Sequence, residues 1–500
     1  MNNKQTGNVV LLDGNSLTLE RAEKIASGAT LVIPPSVKKR MELSQTFVKK
    51  LADSSEPIYG VNTGFGFFAN KRIDKKQRVN LQLNLLKSHA AGYGEPLSIE
   101  ETRLAMALRI NVLVKGYTGT RYELCEGLLN LIKANIYPVI PEYGSVGASG
   151  DLAPLAHLAL PLTGNGMVHY KGKIIPASEA LDLAKLKPIR LIEKEGLGLI
   201  NGTQIMLAVG GLALAHARKY LGIANKIAAL SYEAMTASPD ALHPLIHQIR
   251  GQPGQIEVAE LVLKELEDSY LFGDKTVYPR VQDPYSLRCV PQIHGPSLDA
   301  INYACHAIEI ELNAVTDNPL VFAEQRYILS GGNFHGQVLA LAFDFASMAL
   351  SEIGNVSERR LELLLNPHLS GLPAFLSPNE GIYSGYMAIQ YLSASLVNEN
   401  KLLANPSCTD SIPGNVGIED HVSMGMTSAR KLKRIASNIR AILAAEMVAA
   451  AQAIDMRKVK PLGQGTRKTY QNIRSVVPKL TKDRIVSEDI NKIVSIFETF

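Results

Sequence analysis

The sequence predicts a mainly α-helical fold: a long central helical bundle with a mixed α/β N-terminal domain. Three observations predict it. Apolar residues recur at helical spacing through most of the chain after about residue 200. The first third instead mixes short β-like runs, turn signals and helix caps. Finally, 500 residues with 46% hydrophobic and 20% charged side chains give a well-buried core and exclude a disordered chain.

In order along the chain, "NVVLLDGNSLTLERAEKIASG" reads as a strand, a turn and a helix capped by Ser16 or Thr18. "KRIDKKQR" (71–78), the densest basic patch, reads as a solvated helix face. "GMVHYKGKIIPASEAL" (166–181) predicts a hairpin turning at Lys171-Gly172, then a capped helix starting near Ser178. Segments 205–235, 293–315, 336–364 and 426–456 predict long helices. In the last of these, Leu432, Ile435, Ile439, Ile442 and Leu443 recur at three- and four-residue steps among many alanines, the pattern of a helix packed on several sides. "SEDINKIVSIFETF" predicts one more helix in the tail. The expected division is residues 1–200 for the mixed domain and 201–500 for the bundle, which alanine-rich helices of this length predict to oligomerise.

A formal charge of +5 is small for this length and gives no reason to expect nucleic acid as a partner. Cys125, Cys289, Cys305 and Cys408 lie far apart with no C-x-x-C, which argues against a disulfide framework or zinc cluster. No apolar run approaches the roughly 20 residues of a membrane span, and the N-terminus lacks the apolar core of a signal peptide. The expectation is a cytoplasmic protein with no membrane partner.

Familiar catalytic motifs fail one by one. "GSVGASGDLAPLAHLAL" (144–160) is glycine-rich ahead of a helix, but no Gly-Lys-Ser/Thr follows as in a phosphate-binding loop. Ser149 is followed by Gly150 and Asp151, so the second glycine of a hydrolase elbow is missing. His243 and His247 are four apart, but Pro244 interrupts the helix between them and no metal is expected. Cys305-His306 sits in an apolar stretch and reads as core. What remains is a set of polar islands beside glycine: "YGVNTGFG" (59–66), "LKSHAAGYGEPL" (86–97), "GLINGTQ" (198–204), "QDPYSLRCVPQIHG" (282–295), "GGNFHG" (331–336) and "GIEDHVSMG" (417–425). Glycine lets a backbone approach a ligand closely.

The Ala-Ser-Gly triplet, with "YGVNTGFG" and "YSLRCVPQ" in order, resembles the aromatic amino-acid ammonia-lyase family from about Pro57 to about Met456. The resemblance is strongest to the members that act on histidine. It implies that Ala148, Ser149 and Gly150 condense into a 4-methylidene-imidazol-5-one ring, with no external cofactor. The Gly150 nitrogen attacks the Ala148 carbonyl carbon, and two waters leave. The exposed methylene is an electrophile for covalent catalysis. Bulky side chains would obstruct so compressed a backbone.

The resemblance also assigns roles. Tyr59 matches the base that takes the β proton, which requires its site to lower a phenol pKa of about 10. Arg288 matches the fork that grips the substrate carboxylate, with Tyr285 on the same helical face helping ring formation and elimination. Gln282 and Asn201 match amides that hold the ring oxygen and the substrate. Phe334 matches an aromatic lining residue. His89 and Glu419 match the groups that meet an imidazole. For a phenylalanine substrate Glu419 would be an unpaired buried charge, so it argues for L-histidine, converted to trans-urocanate. Ile418 and Gln337 depart from the usual histidine-acting pattern, which keeps tyrosine or phenylalanine lyase activity and aminomutase activity open. A catalytically dead scaffold is the non-enzyme alternative, disfavoured by the intact triplet. The resemblance implies a homotetramer whose sites draw on three subunits.

Overall fold

The computed structural model describes residues 9–273, 278 and 280–500. Helices dominate, and the long ones fall where periodicity places them: Gln204–Met235, Val290–Glu311, Gln337–Leu365 and Gly425–Arg457. The chain forms two compact units. One holds the residues up to Ala215, together with Cys305–Asp344 and Pro406–Arg430; the other holds His216–Ala304, Phe345–Asn405 and Lys431–Phe500. Four of their five boundaries fall inside long helices, and the fifth, between Asn405 and Pro406, lies in a loop.

The first unit carries the short sheets. Val9–Leu11 pairs in parallel with Thr30–Val32, and helix Leu19–Ala26 lies between them in sequence. Thr18 caps that helix, its side chain accepting from the Arg21 N–H at 3.2 Å. The hairpin Met167–Tyr170 with Lys173–Pro176 turns at Lys171-Gly172, both residues at positive φ. The helix after it runs Ala177–Leu183 with Pro176 at its N-cap and no side-chain cap, so the cap expected near Ser178 is absent. Helix Ile99–Leu113 is the unit's buried centre. A capping box starts it, with Ser98 and Glu101 bonding each other's backbone N–H, and it packs on helices Leu19–Ala26 and Tyr122–Lys133.

In the second unit, Ile435, Ile439, Ile442 and Leu443 are fully buried. Glu446 joins Arg360 there in a fully buried fork, Nε–Oε1 2.6 Å and Nη2–Oε2 3.0 Å. Ser231 and Ser357 hydroxyls satisfy the same carboxylate, as a buried charge requires. The tail forms helices Gln464–Val476 and Val486–Ile496.

Three expectations change. In the basic patch, Arg78 is buried and donates to the Ala52 carbonyl at 2.6 Å, because its stem crosses apolar surface to reach a free carbonyl. His306 is exposed, although Cys305 beside it is buried. Pro244 begins helix Pro244–Arg250 rather than breaking one, and His243 caps it. Helix Gln337–Leu365 is long and apolar enough to cross a membrane, and 67% of its most apolar window is buried, which is also the pattern of a core helix.

Candidate active site

The triplet sits at the mouth of helix Leu152–Ala159. Its backbone is held from two sides. Gly150 bridges Gly202, and the Asp151 N–H donates to the Gly202 carbonyl at 2.7 Å. The Met424 N–H donates to the Val146 carbonyl at 2.9 Å, and the Ser423 hydroxyl donates to the Gly147 carbonyl at 3.2 Å. Gly147 and Gly150 both lie at positive φ, +73° and +71°. A Cβ on Gly147 would strike the Ser423 hydroxyl; one on Gly150 would strike the Gly202 carbonyl. The bare glycines that the sequence singles out are therefore demanded by space as well as by φ.

Asp151, quoted in the motif but given no role, anchors the arrangement. It is fully buried. Its Oδ2 accepts from the Ile205 and Met206 N–H groups at 2.8 and 2.9 Å, capping the long helix Gln204–Met235. Ser145 donates to its Oδ1 at 3.2 Å. Burial pushes its carboxyl up to about 7, against the opposing pull of those hydrogen bonds.

A pocket of about 1040 Å³ opens over the triplet. Tyr59, His89, Ala148, Ser149, Asn201, Phe334 and Glu419 all line it. They come from segments spread over 360 positions of sequence, yet all belong to the first unit. The Ser149 hydroxyl donates to Glu419 Oε1 at 3.2 Å, and Asn415 reaches the same oxygen at 3.5 Å. His89 ends helix Lys75–His89, with Nδ1 2.9 Å from the Leu85 carbonyl. A carbonyl only accepts, so Nδ1 carries the hydrogen and Nε2 keeps a lone pair in the neutral ring. Asn201 gives both amide hydrogens to acceptors: Asn318 O at 3.0 Å and Asp317 Oδ1 at 3.3 Å.

Tyr59 departs from expectation. The Gly66 N–H donates to its hydroxyl at 3.4 Å and favours the phenolate. Burial acts more strongly the other way, and the Glu419 and Asp317 carboxylates add to it, so the phenol pKa is raised rather than lowered. No positive charge offsets this from within the described chain.

Gln282, Tyr285 and Arg288 do not line this pocket; they belong to the second unit. Tyr285–Arg288 forms one helical turn, with the Arg288 guanidinium 4.9 Å from the centre of the Tyr285 ring. Tyr285 is 69% exposed, and Gln282 is exposed as well. The turn is braced from below. Tyr232 donates to the Leu287 carbonyl at 2.8 Å, and Arg360 donates to the Ser286 carbonyl at 3.4 Å.

Among the described residues, no group of three or more His, Cys, Asp or Glu is placed to hold a metal ion. The body is mostly helical, and its pocket gathers around a crowded Ala-Ser-Gly turn. A family model described as aromatic amino acid lyase matches residues 17–475, and the chain belongs to that family. It is 47% identical over 489 residues to a protein named histidine ammonia-lyase from Gloeobacter violaceus, covering 97% of this chain and 95% of that one. A crystal structure of histidine ammonia-lyase from Trypanosoma cruzi superposes with TM-score 0.91 at 40% identity, covering 98% and 93% of the two chains. A tyrosine aminomutase from Streptomyces globisporus superposes with TM-score 0.92 at 37% identity, covering 98% and 97%. The chain is a carbon–nitrogen lyase by this membership.

Proposed function

We propose that this chain eliminates ammonia from L-histidine to give trans-urocanate, using a methylidene-imidazolone ring made from Ala148, Ser149 and Gly150. The observation that carries the substrate is the pairing of the Glu419 carboxylate, 3.2 Å from the Ser149 hydroxyl, with His89 in the same pocket. A carboxylate and a lone-pair nitrogen suit a ligand that carries ring N–H donors. The relatives named histidine ammonia-lyase support the same reading.

The residues fit the ring. The positive φ and missing Cβ at Gly150 bring its nitrogen into a crowded turn against Gly202 that no other residue could occupy unstrained. In the condensation, a bond forms from Gly150 nitrogen to Ala148 carbonyl carbon. One water takes the Ala148 oxygen with the amide hydrogens of Gly150 and Ser149. The other takes the Ser149 hydroxyl with its α hydrogen. The finished group offers a carbon electrophile that makes the amine a better leaving group.

The chain's own side chains supply the rest. Arg288 forks the substrate carboxylate, Glu419 and His89 hold the imidazole, and Tyr59 takes the β proton. In the proposed homotetramer, Gln282, Tyr285 and Arg288 complete the pocket of a neighbouring subunit. Val338, Leu341, Phe345 and Met348 recur at three- and four-residue steps and are all exposed on one helix. A subunit contact would cover such a stripe. The incoming guanidinium would bring Tyr59 a positive charge that none of the described residues of its own chain supplies. The likeness to enzymes of amino-acid metabolism supports a cytoplasmic location.

The test is substrate profiling of purified protein on L-histidine, L-tyrosine and L-phenylalanine, following product absorbance and ammonia. Urocanate from histidine alone is the expected result. Coumarate or cinnamate with no urocanate would overturn the substrate. A β-amino acid product would favour the aminomutase reading, which the likeness to the tyrosine aminomutase keeps in view.

A further inference from the structure

Below Asn201 lies an ion pair that no role assigned so far uses. Lys194 Nζ and Asp317 Oδ2 are 2.8 Å apart, and both side chains are fully buried. They are 123 residues apart in sequence. Taking both charges out of water is costly, and an apolar pair of similar volume would stabilise the fold at least as well. A pair kept in such a place calls for a use beyond stability.

Its geometry supplies one. The second oxygen of Asp317 accepts from Asn201 Nδ2 at 3.3 Å, and the Asn318 carbonyl accepts from the same nitrogen at 3.0 Å. Both partners are acceptors only, so the Asn201 amide has one permitted orientation, with the NH₂ inward. Asn201 Oδ1 is then buried with no partner among the described residues, and Asn201 lines the pocket. Arg109 fixes the main chain of the same residue, donating to the Asn201 carbonyl at 2.9 Å and to the Gly198 carbonyl at 2.7 Å. An unpaired buried carbonyl oxygen is costly unless a donor arrives. The substrate carboxylate brings no donor, and the imidazole is assigned to His89 and Glu419. The α-ammonium remains.

We propose that Asp317, held by Lys194, is a positioning residue for the elimination: it locks the Asn201 carboxamide with its oxygen toward the pocket, as the acceptor for the substrate's α-ammonium. This rests on the amino-acid lyase reading above, though not on histidine as the particular substrate.

Two variants of the full-length protein test it. In Asp317→Asn, Lys194 still demands an oxygen, so the new amide turns its NH₂ toward Asn201 and opposes the native orientation. In the double variant Asp317→Leu/Lys194→Met, neither member of the pair is left stranded and Asn201 loses its orienting partner, while the buried Arg109, which Asp317 also stabilises, keeps its hydrogen bonds to the Asn201 and Gly198 carbonyls and to Gln204. Each is assayed for kcat and KM on L-histidine and for inhibition by imidazolepropionate, which lacks only the amine. Melting and intact mass are followed in parallel. The expected result for both variants is a loss of about 10- to 100-fold in kcat/KM, the worth of a hydrogen bond to a charged group. The inhibition constant of the amine-free analogue stays within about threefold, and the double variant remains folded at the assay temperature. Removing the Asp317 charge would by itself ease ionisation of Tyr59, so a slowed reaction cannot come from that source.

Wild-type kcat/KM in a folded double variant would overturn the proposal. So would parallel loss of substrate and analogue binding, which is the mark of a merely structural pair. Wild-type protein reports separately on the functional reading. If it prefers tyrosine or phenylalanine, the same comparison runs with that amino acid and its amine-free analogue. Inertness on all three would sink both.

Discussion

Replacing Gly150 by alanine loads the site at its tightest point. The residue sits at φ +71°, and an added Cβ would meet the Gly202 carbonyl. An L side chain in the left-handed region costs about 1–2 kcal/mol. The Gly202 carbonyl cannot yield freely, because it accepts from the Asp151 N–H at 2.7 Å; losing that bond costs about 1 kcal/mol more. Together these predict a destabilisation of about 2–3 kcal/mol, the sum of the two terms. The displaced main chain would also draw the Gly150 nitrogen away from the Ala148 carbonyl, so activity should vanish and the chain should keep its full unprocessed mass. Gly172→Ala is the control. It shares a positive φ, +77°, but a Cβ there meets nothing within 4 Å, so only the φ cost of about 1 kcal/mol applies and activity stays. Scanning calorimetry, ammonia release and mass spectrometry of both variants decide the matter. A Gly150→Ala protein that melts like wild type and turns over substrate would refute the crowding argument.

Glu419→Gln exchanges a charged acceptor for a neutral one, so kcat/KM on histidine should fall about tenfold, the difference between the two kinds of hydrogen bond; unchanged kinetics would remove Glu419 from substrate recognition. Tyr59→Phe should lower kcat by about 10²-fold or more while leaving melting unaltered, and retention of rate would assign the proton transfer elsewhere. Asp151 predicts a pH effect on stability. Its folded pKa of about 7 lies above the ordinary 3.8, so the stability tied to its protonated form is complete below about pH 4 and fades as pH rises through 7. That displacement corresponds to at most about 4 kcal/mol. Urea midpoints should drop from pH 5 to pH 8 in wild type and drop less in Asp151→Asn, whose amide oxygen can still accept the Ile205 and Met206 N–H groups; equal slopes would contradict the assignment.

The long helices were legible because their apolar residues keep one period for many turns, as in Gly425–Arg457. The Thr18 cap and the Lys171-Gly172 turn were legible because local chemistry decides them. The pocket was legible through its glycine-flanked islands, but their meeting was not readable from spacing. Segments 305–344 and 406–430 return to the first unit, and they bring Phe334 and Glu419 to the triplet with no local signal for it. Asp317 and Lys194 show the same limit, since an ion pair 123 residues long in sequence leaves no periodic trace. Arg78 looked like one more surface charge because burial of a guanidinium depends on a carbonyl waiting in three dimensions. The Tyr59 phenol went the unexpected way for a related reason: its neighbours Glu419 and Asp317 are close only in the fold.

The most direct measurement is the intact mass of freshly purified wild-type chain, followed by the mass of the proteolytic peptide that spans residues 144–160. Cyclisation of Ala148-Ser149-Gly150 predicts a deficit of about 36 Da, two waters, confined to that peptide. A chain and peptide at full unprocessed mass, in protein that nonetheless releases ammonia from its substrate, would contradict the account.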